Sequence, residues 1–187
     1  MLIEKANEWE MSLCFLDGDL PKAYDNILHP VIAKRLTRRG FPKFFTAAIL
    51  RETRRQKITI RMGDILSDPV GRTKSLSQGS SDAPKIFNHV LDEDIMDFAN
   101  LCRKLKWGFP ISQDASGYFD EFLPILVFAD NFWIIAKSPE ELQIMSSTWF
   151  SRCASSGWSI PHHECTWSTT LSDHVCRWAL NVGGAYH

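Results

Sequence analysis

The sequence lacks the features that mark secreted and membrane-spanning proteins. It has no run of about 18 apolar residues and no apolar N-terminal core of a signal peptide, which predicts an intracellular chain without a membrane span. Its five cysteines are odd in number and include no C-x-x-C pair, which argues against a disulfide framework. The 187 residues are 44% hydrophobic, enough for one domain with a core or for part of a larger domain.

Positive charge is scarce outside one segment. Residues 34–74 hold 12 of the 21 Lys and Arg but only 3 of the 22 Asp and Glu, so this segment carries about +9 and the remainder about −10. A basic surface beside an acidic remainder fits a protein that holds a polyanion next to a cation site. A solvated helix face is the alternative interpretation.

Hydrophobic periodicity predicts helices and strands in alternation. An α+β fold follows, with an antiparallel sheet covered on one face by helices. The predicted elements are a helix over 2–10, a strand over 12–20, a helix over 30–39, a second helix after Pro42, a hairpin over 57–70 turning at Gly63-Asp64, a helix over 83–105, a loop over 108–121, a hairpin over 125–136 turning at Asp130-Asn131, a helix from Ser138 as N-cap to Gly157, and a last strand.

Carboxylates lie where two of these strands end. Asp17 and Asp19 fall on one face of their strand by its two-residue period, and Asp130 stands at the tip of the hairpin that interrupts "LVFADNFWII". Carboxylates on neighbouring strands can meet and hold Mg²⁺, which takes oxygen ligands and keeps positions for water and phosphate. The alternative for Asp130-Asn131 is plain turn chemistry.

Four segments, in order over residues 1–167, resemble the motifs of reverse transcriptases, most closely those of non-LTR retrotransposons and group II introns. "LIEKANEWEMSLCFLDGDLPKAYDNI" resembles the helix and strand of the first catalytic motif, and "KSLSQGSSDAPKIFNHVLDE" the Gln-Gly segment. "LVFADNFWIIAKSPEELQ" is similar to the Tyr-Ala-Asp-Asp hairpin, and "CASSGWSIPHHECTW" to the Gly-Leu-x-x-Asn-x-x-Lys motif. The resemblance implies a right-hand polymerase palm, over about 11–29 and 76–182, with part of the fingers as a basic segment over about 30–75. Upstream fingers and a thumb are expected to be missing from the chain.

The resemblance also implies the site. Asp19, rather than Asp17, matches the first metal-binding aspartate and Asp130 the second, with Asn131 beside it as a catalytic residue. Two Mg²⁺ (or Mn²⁺) ions are expected to serve nucleotidyl transfer from a deoxynucleoside triphosphate to a primer 3′-hydroxyl. The remaining implied contacts are Tyr24, which presses on the sugar, with Leu20, Gln78, Gly79 and Ser80 for the incoming nucleotide, and Arg54, Arg55, Lys57, Arg61 and Lys74 for the RNA template and DNA primer. The rest of a retroelement polyprotein is the expected protein partner.

Two positions depart from the family pattern. Asn131 stands where the family usually has a second aspartate, which removes one negative charge from the site. Glu164 aligns with a lysine that is thought to stabilise the leaving group, and a carboxylate there repels a triphosphate.

Three alternative functions remain open. A catalytically inactive relic would keep the fold and bind nucleic acid. An RNA-directed RNA polymerase would share the palm, but it usually has a polar residue, often Asp, at the position of Tyr24. A zinc-binding nucleic-acid module would use ligand types found late in the chain, although their spacings match no familiar site. These candidate ligands are Cys153, His162, His163, Cys165, His174 and Cys176.

Overall fold

Helices and antiparallel strands alternate along the chain. The computed structural model describes residues 2–55, 57–76, 81–170, 181–182 and 185–186. The α-helices in these ranges are α1 Leu2–Glu8, α2 Ala23–Asn26, α3 His29–Arg38, α4 Lys43–Arg55, α5 Ala83–Leu105 and α6 Pro139–Ser156. The strands are β1 Cys14–Asp19, β2 Lys57–Ile58, β3 Arg61–Met62, β4 Ile65–Leu66, β5 Val70–Gly71, β6 Phe109–Gln113, β7 Phe119–Leu123, β8 Ile125–Phe128, β9 Asn131–Ala136, β10 Thr166–Thr169, β11 Asn181–Val182 and β12 Ala185–Tyr186, and a 3-10 helix spans His162–Glu164.

The main sheet has the strand order β10-β1-β9-β8, and each neighbouring pair is antiparallel. Along β1, buried Cys14, Leu16 and Gly18 alternate with half-buried residues that include Asp17 and Asp19. The prediction that the two aspartates share one face of this strand is therefore confirmed.

Helices pack on the buried face of this sheet. Phe132 of β9 lies edge-on to Trp149 of α6, with ring centroids 5.8 Å apart, and Phe98 of α5 meets the same indole at 5.3 Å. All three side chains are almost fully buried, so they form the centre of the core beneath the sheet. The predicted α+β architecture, an antiparallel sheet covered on one face by helices, is confirmed.

The chain divides into two compact units. The first contains the main sheet and comprises Met1–Pro21, Ile95–Ser155 and Ser159–His187. The second comprises Lys22–Asp94 and Ser156–Trp158. The helix α5 contributes its first half to the second unit and its second half to the first.

A buried ionic network holds the second unit. The Arg35 guanidinium of α3 donates to Glu93, at 3.2 Å, and to Asp94, and the Ser156 hydroxyl donates to the other Asp94 oxygen at 2.6 Å. Asp94 is completely buried, so these partners replace the water that its charge loses on folding. Apolar side chains around the network come from Ile32 and Leu36 of α3 and from neighbouring turns of α5.

Several predicted elements are confirmed at their ends. The Ser138 hydroxyl accepts the Glu141 amide at 3.2 Å, and Pro139 is the first residue of α6. The helix ends before Gly157, which has a φ of +107°. In the segment over 57–71 that contains β2 to β5, called here the basic hairpin, Met62 pairs with Ile65, which places the turn at Gly63-Asp64 as predicted.

The predicted loop over 108–121 is wrong, because β6 and the start of β7 lie within it. Their pairing shifts register between Pro110 and Ser112 and again before Gln113. Such irregularities break the two-residue alternation by which a strand is recognised in a sequence. The buried Phe109 anchors this hairpin to a small core with Ala6, Leu13 and Ile135.

Candidate active site

The last residue of β1 and the first residue of β9 face each other across the sheet. Asp19 pairs with Asn131 in the antiparallel register, and directly opposite residues project from the same face. Beyond this pair the Leu20 amide donates to the Asp130 carbonyl at 2.8 Å. The sheet therefore brings Asp19, Asp130 and Asn131 to one edge, with Asp19 half-buried and the other two exposed. Leu20 itself is buried, and its amide ties the end of β1 to the hairpin turn.

The turn that carries Asp130 is one residue earlier than predicted. Phe128 pairs with Asn131, so the two turn residues are Ala129 and Asp130, and the predicted Asp130-Asn131 turn is wrong. Ala129 takes a positive φ of 56°, although Asn is the better turn residue by propensity. The preference of Asn131 for a turn competes with its pairing to Asp19 in the sheet, and the structure shows Asn131 paired in the strand. As a result Asn131 lies in the ladder beside Asp19 rather than in the turn.

Gly18 leaves room for two side chains, those of Phe132 and Cys165, next to the acidic residues. A Cβ at this position would lie 2.6 Å from Phe132 Cζ and 3.0 Å from Cys165 Sγ, both shorter than ordinary contact. A glycine between two aspartates therefore lets an aromatic ring fill the space beneath the edge of the sheet. Sequence reasoning missed this residue, whose one signal is its small size at a buried position of the strand.

The Cys165 thiol reports the charge around this edge. Burial, and to a lesser extent the negative charges of Asp19, Asp17 and Glu164, together raise its pKa to about 11. Cys165 is therefore a neutral, buried thiol at physiological pH, and Glu164 adds negative charge to the same cluster. Glu164 is half-exposed in the 3-10 helix, where it contacts His163 at 3.6 Å.

The donors at the sheet edge suit a hard divalent cation. Two carboxylates and the Asn131 amide supply oxygen only, and Mg²⁺ is commonly held by one or two carboxylates together with substrate phosphates. Among the described residues no group of three or more His, Cys, Asp and Glu could hold a metal ion. Because Asp130 and Asn131 are exposed, a cation held here would keep coordination positions open for water and substrate phosphates.

The zinc alternative gains no support from the residues that the structure describes. Cys153 is fully buried within α6, and His163 is exposed on the 3-10 helix. His174 and Cys176 lie outside the described residues.

Tyr24 belongs to the second unit and lies on the short helix α2 rather than on a strand. Its ring stacks on Phe87 with centroids 4.7 Å apart, and its carbonyl accepts the Leu76 amide at 2.7 Å. The other residues expected at the nucleotide, Gln78, Gly79 and Ser80, lie outside the described residues.

The basic segment divides into paired and exposed cations. The arginines of α3 face acids of α5, since Arg38 and Arg39 contact Glu93 at 3.4 Å and Arg35 is buried against the same helix. The residues expected to hold nucleic acid are all exposed: Arg54, Arg55, Lys57, Arg61 and Lys74. Lys74 also donates to the Asn26 side chain at 3.0 Å.

An antiparallel sheet with acidic residues where two strands end is a feature shared by many nucleotide-polymerising proteins, and the family comparison identifies the group to which this chain belongs. The family described as reverse transcriptase (RNA-dependent DNA polymerase) matches residues 3–179. The chain belongs to this family. No curated protein matches the sequence.

Solved telomerase structures share the fold. Telomerase from Candida albicans, in complex with a TWJ fragment of telomeric RNA, superposes with a TM-score of 0.62 at 12% identity, over 89% of this chain and 29% of that one. Telomerase from Candida tropicalis, in complex with a TWJ fragment of telomeric RNA, superposes with a TM-score of 0.60 at 11% identity, over 87% of this chain and 27% of that one. Apo telomerase from the same organism, truncated from its C-terminal domain, superposes with a TM-score of 0.52 at 12% identity, over 91% of this chain and 34% of that one. This chain thus spans about a third of the length of the telomerases.

No helix in the described part of the chain is long and apolar enough to cross a bilayer.

Proposed function

We propose that this chain is the polymerase core of a retroelement reverse transcriptase of the non-LTR or group II intron type. The observation that carries the proposal is the β1–β9 register, with Asp19 opposite Asn131 and the Leu20 amide bound to the Asp130 carbonyl. The palm would comprise about 11–29 and 76–182, with a fingers-side basic segment over about 30–75.

The partners of this function are an RNA template, a DNA primer, deoxynucleoside triphosphates and the rest of a retroelement polyprotein. The exposed Lys and Arg side chains on α4 and the basic hairpin support binding to the phosphate backbone of the nucleic acid, independent of its sequence. Tyr24 would press on the sugar of the incoming nucleotide, and Leu20, Gln78, Gly79 and Ser80 would contribute further contacts with that nucleotide.

In this mechanism the carboxylates of Asp19 and Asp130 would hold two Mg²⁺ or Mn²⁺ ions, and the Asn131 amide oxygen would offer a further ligand. Such ions would lower the pKa of the primer 3′-hydroxyl and supply positive charge for the departing pyrophosphate. The chain's own contribution is placement, because the β1–β9 pairing and the Leu20–Asp130 hydrogen bond hold the backbone of Asp19 and Asp130 side by side. The buried Phe132 and Cys165 keep water from the back of the site.

Primer extension tests this function. Purified protein is given a primed RNA template, deoxynucleotides and Mg²⁺ or Mn²⁺, and product length is followed on a gel. Asp19→Ala and Asp130→Ala are each expected to lower the extension rate about a hundredfold or more, because each removes a cation ligand. Asp120→Ala, an exposed carboxylate of β7, serves as the matched control and is expected to extend normally. Equal rates for the Asp19 variant and the control would refute the proposal.

A catalytically inactive relic is the second candidate, and one observation favours it. Glu164 adds negative charge around Cys165 at the position where the family has a lysine. Binding of RNA without extension by the intact chain would support the relic. Gain of extension in Glu164→Lys would identify this carboxylate as the cause.

A further inference from the structure

The helix that carries Tyr24 has little support of its own. It is four residues long, and its N-cap residue, Lys22, makes no side-chain capping bond and has a φ of 49°. Such a short helix is not stable in isolation, so neighbouring groups must hold it in place. Those neighbours decide where the Tyr24 ring lies.

Residues 156–158 supply that support within the same unit. The Ser156 carbonyl accepts the Leu28 amide at 3.2 Å, and the Trp158 indole N–H donates to the Ala23 carbonyl at 2.8 Å. Gly157 makes the approach possible, since a Cβ there would lie 2.3 Å from the Asn26 carbonyl oxygen. The chain after α6 thus contacts α2 at both of its ends.

Trp158 also contacts Tyr24 indirectly, through the ring of Phe87 that lies between them. Its indole lies edge-on to Phe87, with centroids 5.8 Å apart, and Phe87 is stacked beneath Tyr24. Trp158 and Phe87 are both almost fully buried, whereas Tyr24 is half-buried. One residue therefore fixes the backbone before Tyr24 and also the ring on which Tyr24 rests.

We propose that Trp158 is a positioning residue that sets the place of the Tyr24 ring and thereby the rejection of ribonucleotides. The family motif that this segment resembles has leucine at this position, which has neither the N–H donor nor the edge of an aromatic ring. The inference rests on the proposed function for its consequence, but the placement of Tyr24 is measurable without any activity.

Chemical modification of tyrosine tests the placement. N-acetylimidazole is applied to the whole chain, and acetylation of each tyrosine is followed by mass spectrometry. Trp158→Leu is expected to raise the rate at Tyr24 about fivefold, because it loses both the hydrogen bond to Ala23 and the ring contact with Phe87, and to leave the exposed Tyr118 unchanged. Trp149→Leu is the matched control, because Trp149 is equally buried but lies in the first unit. It is expected to leave the Tyr24 rate unchanged.

A conservative variant covers the case in which Trp158→Leu does not fold. Trp158→Phe keeps an aromatic ring against Phe87 and loses only the N–H donor to Ala23. It is expected to raise the Tyr24 rate about twofold, less than the leucine variant. A Tyr24 rate equal to that of the wild type in each folded Trp158 variant would overturn the inference.

Sugar selection tests the consequence. The ratio of kcat/KM for a deoxynucleotide over the matching ribonucleotide is compared in wild type, Tyr24→Ala and the Trp158 variants. We expect Trp158→Leu to lower this ratio about fivefold, in the direction of Tyr24→Ala. If Tyr24→Ala lowers the ratio and a Trp158 variant that extends primers does not, the inference alone fails. If the wild type extends with neither nucleotide, the proposed function fails, and the acetylation rates still decide the placement.

Discussion

Gly18 shows how one missing side chain shapes the edge of the sheet. Gly18→Ala is expected to destabilise the fold by about 1–3 kcal/mol, because the new methyl meets Phe132 and Cys165 in a filled space. Urea unfolding measures the change. Gly71→Ala is the control, since nothing lies within 4 Å of a Cβ built on that strand residue.

A second substitution locates the clash. Phe132→Leu removes the Cζ atom that the methyl would meet, so the double variant with Gly18→Ala is expected to be more stable than the sum of the two single changes predicts. Additive losses in the double variant would place the strain elsewhere.

Asn131 is the second position at which a single residue determines the site. Asn131→Asp adds a carboxylate opposite Asp19, and we expect it to tighten Mn²⁺ binding by roughly an order of magnitude. Isothermal titration with Mn²⁺ measures this without substrate. Asn100→Asp, an exposed change on α5, is the control for added charge alone. Unchanged Mn²⁺ affinity in the Asn131 variant would show that this side chain does not reach the cation.

At the residue scale, features that follow from the two-residue period of a strand were predictable from the sequence. Contacts that depend on how distant strands pair were not. The shared face of Asp17 and Asp19 follows from strand alternation alone. The neighbours of Gly18 come from β9 and from the segment before β10, more than a hundred residues away along the chain. No local pattern reveals such contacts.

Among the elements, the β8–β9 hairpin has in its turn a residue, Ala129, whose backbone conformation is unfavourable for alanine. Ala129 has a φ of 56°, in a region that glycine enters freely. Ala129→Gly is expected to raise the free energy of unfolding by about 0.5–1 kcal/mol, as relief of strain exceeds the added chain entropy. Thermal unfolding followed by circular dichroism measures the change.

The control for this turn is another hairpin of the first unit. Ala115 lies in the turn between β6 and β7 and has no positive φ, so Ala115→Gly is expected to lower stability by about 0.5 kcal/mol. A loss of stability in both variants would show that Ala129 is not strained.

Element prediction succeeded where capping and period agree and failed where pairing overrides them. The helix α6 combines Ser138, Pro139 and Gly157 at its two ends, so its bounds were readable. The β6–β7 hairpin carries register shifts, and the Asp130 turn moved by one residue to keep Asn131 in the ladder. The first error arises from irregular pairing within the hairpin itself, and the second from the pairing of Asn131 with Asp19, more than a hundred residues away in the sequence. The hydrophobic period of the sequence contains neither.

For the whole molecule, the segregation of charge follows the division into units. The second unit contains 14 of the 21 Lys and Arg and 8 of the 22 Asp and Glu, which gives it about +6 and the first unit about −7. Ion pairs between α3 and α5 neutralise part of the positive charge, and the exposed cations lie on α4 and the basic hairpin. A polyanion is therefore expected to meet the second unit there.

Salt dependence tests this expectation. Binding of a fluorescent RNA–DNA hybrid is measured by anisotropy over a range of salt concentrations. Arg54→Ala and Arg61→Ala are each expected to reduce the slope of log affinity against log salt by about 1, as one phosphate contact is lost. Arg39→Ala is the control, because its guanidinium contacts Asp92 and Glu93, and it is expected to leave the slope unchanged. Slopes equal to that of the wild type in all variants would show that Arg54 and Arg61 do not contact the phosphates.

The opposite charges of the two units also govern how copies of the chain behave toward one another. A formal net charge of −1 gives almost no mutual repulsion, while the positive part of one copy attracts the negative part of the next. At low ionic strength, concentrated solutions of the protein are therefore expected to become turbid through self-association. Added salt is expected to reverse the turbidity, because it screens the attraction between copies.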